Sequence, residues 1–94
     1  MECIVDFNGV KTEKELHQAL KDGLSLPYYY GMNMDALWDC LTGDLIHPCV
    51  VYLKGVKSIP KRLSGEVQIM LESFEDAEKW YRDINFEVRF IIID

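Results

Sequence analysis

Two aspartates one helical turn apart, Asp35 and Asp39, stand in a stretch dense with aromatic side chains, Pro27-Tyr28-Tyr29-Tyr30-Gly31-Met32-Asn33-Met34-Asp35-Ala36-Leu37-Trp38-Asp39-Cys40-Leu41-Thr42-Gly43. A carboxylate pair can transfer protons as general acid and base. It can also accept hydrogen bonds and charge from a cationic cleft that would otherwise hold phosphates. The first use lacks its companions here. There is no glycine-rich phosphate loop, no cluster of His and Cys ligands and no nucleophile with a base nearby, and His17 and His47 fall in different elements. The chain therefore reads as a non-enzyme with no cofactor and no metal. The second use has support in the surrounding charge. No Lys or Arg occurs between Lys21 and Lys54, an interval that carries Asp22, Asp35, Asp39 and Asp44, so its field would draw in a strongly positive surface.

Like charges at this spacing cost a helix about 0.2–0.5 kcal/mol. Asp35 has a bland reason to be there, because the first turn of a helix favours a negative charge. Asp39 lies farther along and lacks that reason, which makes it the leading candidate for recognition. Three consecutive tyrosines cannot all point inward from a loop. Tyr30 and part of Trp38 suit a core, whereas Tyr29 is expected to face outward, where Tyr is enriched in protein interfaces. Asp76 lies among Glu72, Glu75 and Glu78 on the polar side of a long helix, a pattern that by itself describes a solvated face. Trp80 is also off that helix's apolar stripe. Cys40 carries no sign of activation and reads as an inert, partly buried thiol.

These residues need a scaffold, and 94 residues, 49% of them hydrophobic, supply one domain spanning 1–94. Sixteen acidic against ten basic residues leave a net charge of −6, which argues against nucleic acid as a ligand and favours a basic protein partner. A domain also uses such a charge simply to stay soluble. Cys3, Cys40 and Cys49 form no C-x-x-C pair, as expected in a reducing compartment. The N-terminal residues do not read as a signal peptide, and no apolar run suggests a membrane span. A cytoplasmic protein is expected.

Cys3 to Phe7 reads as a strand closed by Asn8-Gly9. Thr12-Glu13-Lys14-Glu15 matches a capping box, so a helix starts there, with Leu16, Ala19 and Leu20 on one face and Gly23 as its left-handed end. After a loop over Leu24 to Gly31, Asn33 caps a second helix that runs to about Thr42 and stops at Gly43. Its buried stripe is Met34, Leu37, Trp38 and Leu41. Following Pro48, Cys49 to Leu53 is a continuous apolar run, consistent with a strand covered on both faces. Pro60 weakens a helical turn over Ser58 to Leu63. Gly65 to about Arg82 forms a long amphipathic helix with Val67, Met70, Leu71, Phe74, Ala77 and Tyr81 inward, and Phe86 to Ile93 is a last strand. Strands separated by helices imply an α/β fold, a small, mainly parallel sheet of unspecified order packed by helices.

Over Leu26-Pro27, Tyr29-Tyr30-Gly31, Asn33 and Asp35-Ala36-Leu37-Trp38-Asp39-Cys40-Leu41-Thr42-Gly43, and more loosely at Leu16-His17-Gln18, the chain resembles the barstar family, intracellular inhibitors of secreted bacterial ribonucleases. Helix and strand spacing agrees over almost the whole length. The resemblance implies a three-stranded parallel sheet with about three to four helices and a binding face on the second helix and the loop before it. It places Asp39 in the nuclease's phosphate position, Asp35 and Asp76 at further acidic contacts, and Tyr29 over a catalytic side chain. Gly31, Asn33, Trp38, Thr42 and Gly43 would make surrounding contacts. The implied partner is a basic ribonuclease of the barnase type or a relative, met by a protein monomeric until complexed. Asp44 replaces a tryptophan of the family pattern, Tyr28 and Met32 replace glutamates, and Asp76 is one methylene shorter than the usual glutamate. Such rim changes bear on which nuclease is bound. The other reading of the same surface is an interaction module that binds another basic protein without inhibiting a nuclease.

Overall fold

In the computed structural model, which describes residues 2–43 and 49–93, strand and helix signals resolve into β1 (Glu2–Asp6), α1 (Glu13–Leu24), α2 (Met34–Gly43), β2 (Cys49–Lys54), α3 (Ser64–Asp83) and β3 (Val88–Ile93). Two single 3-10 turns, Val56–Ser58 and Lys61–Leu63, flank Pro60 ahead of α3. Asp44, His47 and Pro48 lie outside the described residues.

The three strands form one parallel sheet in the order β1-β2-β3, with Cys3 beside Val51 and Val51 beside Phe90. Both crossovers therefore step in the same direction across the sheet. Because such crossovers are almost always right-handed, this order places all the helices on one face. Burial follows that arrangement. Val5, Cys49, Val51, Leu53 and Val88 are buried on the inner face, whereas Val50 and Tyr52 are half-exposed and Ile4 is 58% exposed on the other. The expectation that β2 is covered on both faces is thus corrected: an apolar run reports a strand in the middle of a sheet but not how many layers pack on it.

On the covered face, Leu16 and Leu20 of α1, Leu37 and Leu41 of α2, and Met70, Phe74, Ala77 and Tyr81 of α3 join the strand residues in one core. Phe74 stacks on Phe90 with ring centroids 4.5 Å apart. The Tyr81 hydroxyl donates to the Leu41 carbonyl, which ties α3 to α2. The outer N–H of edge strand β3 at Phe90 donates to the Glu78 carboxylate, 2.7 Å away, so a helix side chain satisfies a group that would otherwise template another strand. Among the described residues no helix is long and apolar enough to cross a membrane.

Helix α1 begins as its sequence specifies, with both arms of the Thr12–Glu15 capping box formed. It does not end at Gly23. The left-handed residue is Ser25, at φ 54°, whose N–H donates to the Lys21 carbonyl. Gly23 lies within the helix and serves packing instead, since a Cβ there would sit 2.7 Å from Val5 Cα and 2.8 Å from the Ile4 carbonyl oxygen. Its missing side chain lets α1 rest directly on β1.

Candidate functional site

The approach loop is built around two inward anchors. Tyr30 is buried, its hydroxyl 2.7 Å from His17 Nδ1 and donating to the Asn33 carbonyl at 3.3 Å. Burial pushes its phenol well above the ordinary tyrosine range, so it stays a neutral structural group. Asn33 caps α2: its Oδ1 accepts the Ala36 N–H at 2.8 Å, and its Nδ2 donates to the Gly31 carbonyl at 3.1 Å. Gly31 has little room for a side chain, because a Cβ would sit 3.2 Å from that of Ala36. Met32 adopts the left-handed conformation between them, at φ 55°. The start of α2 is therefore held from three directions before its charged flank begins.

Inward anchoring of Tyr30 leaves its neighbours outside, as expected for three tyrosines in a row. Tyr29 is 65% and Tyr28 89% exposed, and the two rings meet edge to face at 5.5 Å. Along α2, Leu37, Cys40 and Leu41 are buried and Met34 and Trp38 half-buried, which turns Asp35 and Asp39 to solvent. No donor among the described residues holds either carboxylate. Both are available to another molecule.

A shallow concavity of about 440 Å³ runs between α2 and α3, lined by Met34, Asp35, Trp38, Asp39, Ile69, Ser73 and Asp76. The fold thus brings Asp76 to the same depression as the aspartate pair, although it lies 37 positions beyond Asp39 in the chain. Three carboxylates border an apolar floor provided by Met34, Trp38 and Ile69. Tyr29, Gly31 and Asn33 are not lining residues; they stand on the loop leading into α2. Thr42 and Gly43 lie at its far end, where the Thr42 hydroxyl donates to the Trp38 carbonyl at 2.9 Å, and Gly43 has open space around its Cα. The site is a negative, partly apolar concavity carried on two packed helices.

Ile69 and Ser73 were not anticipated. Their signal is present in the chain: Ile69, Ser73 and Asp76 recur at i, i+4 and i+7, a second face of α3 beside its buried stripe. An isoleucine outside that stripe and 47% exposed marks the facing wall of the groove.

A family model described as "Barstar (barnase inhibitor)" matches residues 1–93. A protein of Bacillus subtilis (strain 168) named "Putative ribonuclease inhibitor YrdF" is 38% identical over 80 residues, covering 85% of this chain and 88% of the relative.

Proposed function

Because the chain belongs to the barstar family, we propose that it inhibits a ribonuclease of the barnase type by occupying its active site, with Asp39 in the place of a substrate phosphate. The observation that supports this most directly is the outward, undocked state of Asp35 and Asp39 in a concavity shared with Asp76. A ribonuclease must present fixed cationic donors to an RNA backbone, and carboxylates on a rigid helix can satisfy the same donors. Tyr29 and Trp38 would add contact area, and Gly31, Asn33, Thr42 and Gly43 would let the two backbones approach. Inhibition of this kind is occlusion and needs no chemistry from the inhibitor. The protein would act as a monomer that pairs with one basic enzyme, in the compartment where that enzyme is made.

The test is titration of the chain into a barnase-type ribonuclease. Cleavage should fall to zero at one equivalent, with the effect weakening as salt is added. Removing one member of a desolvated charge pair costs about 3–5 kcal/mol, so Asp39→Ala should weaken inhibition by roughly 10²- to 10⁴-fold. Stoichiometric binding with cleavage intact would instead favour an interaction module without inhibitory action. The exposed Tyr28, together with Met32 and Asp44 in place of the family's usual residues, directs this choice to the rim of the contact.

A further inference from the structure

His17 has a ring nitrogen that the inhibitory surface does not use. The residue is 1% exposed on the inner side of α1. Its Nδ1 is engaged by Tyr30, while Nε2 is buried and has no hydrogen-bond partner among the described residues. A buried polar atom left in this state costs about 1–3 kcal/mol. Beside it stand Glu13, one turn earlier on α1, and Glu66, in the first turn of α3. One ligand atom from each of the three residues lies within 4.8 Å of the others.

We propose that His17 Nε2 and the carboxylates of Glu13 and Glu66 form a binding site for a divalent transition-metal ion of the zinc class, with water as the fourth ligand. One imidazole nitrogen and two carboxylate oxygens suit zinc, whereas magnesium and calcium call for shells of six or more oxygens. Desolvation lowers the imidazole pKa, which favours the neutral form that can donate a lone pair, and the nearby charges of Glu13 and Glu66 oppose that shift. The other side of the ring is already arranged as metal-bound histidines require. In the tautomer whose Nδ1–H donates to the Tyr30 oxygen, while the Tyr30 hydroxyl donates to the Asn33 carbonyl, the lone pair is left on Nε2. Metal–ligand distances of about 2.0–2.2 Å require the three atoms to draw closer together. Glu13 is exposed and Glu66 half-buried, so carboxylate rotation can supply the movement. The ion would fasten α1 to α3 and, through Tyr30 and Asn33, brace the cap of α2.

The experiment uses the full chain stripped of metal and titrated with zinc chloride in a calorimeter, with the melting temperature followed in parallel. One equivalent should bind and raise the melting temperature. Glu13→Gln and Glu66→Gln, which alter groups at the surface and leave the core intact, should each weaken affinity at least tenfold, and His17→Gln should abolish it. Tyr30→Phe should weaken it about tenfold through loss of the ring's supporting hydrogen bond. Cobalt(II) loaded in place of zinc should show ligand-field absorption without a thiolate charge-transfer band. Absence of binding overturns the proposal. So does affinity unchanged in both glutamate variants, or a thiolate band that assigns the ion to Cys3, Cys40 or Cys49.

Discussion

Asp35 and Asp39 are chemically alike, yet their positions along α2 give them different reasons to be acidic. Asp35 lies in the first turn, where the helix dipole welcomes it; Asp39 is beyond that reach and has no donor from its own chain among the described residues. Replacing Asp39 should therefore leave the melting temperature unchanged or slightly raised while weakening inhibition, and thermal melting beside a cleavage assay separates the two effects. Asp76 borders the same concavity from the opposite helix, at its exposed edge. Asp76→Ala should cost about tenfold or less in inhibition, as expected of a charge that solvent still screens. Tyr30 has the reverse profile. Tyr30→Phe removes the hydroxyl shared by His17 and Asn33 and should cost about 1–3 kcal/mol in chemical denaturation, with little effect on any surface contact.

At the scale of elements, the capping box, the Asn33 cap and the stripes of α2 and α3 were legible because each rests on contacts between residues within a turn or two of one another. The end of α1 was not. A glycine near a helix end signals either a left-handed backbone or a close approach, and local sequence does not separate the two. Gly23 serves close approach, and the left-handed position falls on Ser25. The two positions should therefore respond oppositely in urea denaturation. Gly23→Ala drives a methyl into β1 and should destabilise by about 1–3 kcal/mol, although alanine is the better helix former. Ser25→Gly relieves an exposed residue at positive φ and should stabilise by up to about 1 kcal/mol.

For the whole molecule, the charge of −6 and the interval free of Lys and Arg around Asp35 and Asp39 predict association steered over long range. Stopped-flow mixing with the target nuclease should show an association rate that falls at least about tenfold as the Debye length shrinks from about 10 Å at 0.1 M salt to about 3 Å at 1 M, with dissociation changing much less. The amino-acid sequence by itself determined which segments become strands and helices, that Asp35 and Asp39 share a flank, and that Tyr30 and Tyr29 part ways, since helical periodicity and the sterics of a short loop act between near neighbours. Only the tertiary structure decided the strand order, the exposure of Ile4 on the outer face of the sheet, the meeting of Asp76, Ile69 and Ser73 with α2, and the placing of Glu66 beside His17. Each of these depends on how distant segments pack, and side-chain periodicity within a segment carries no information about which other segment will face it.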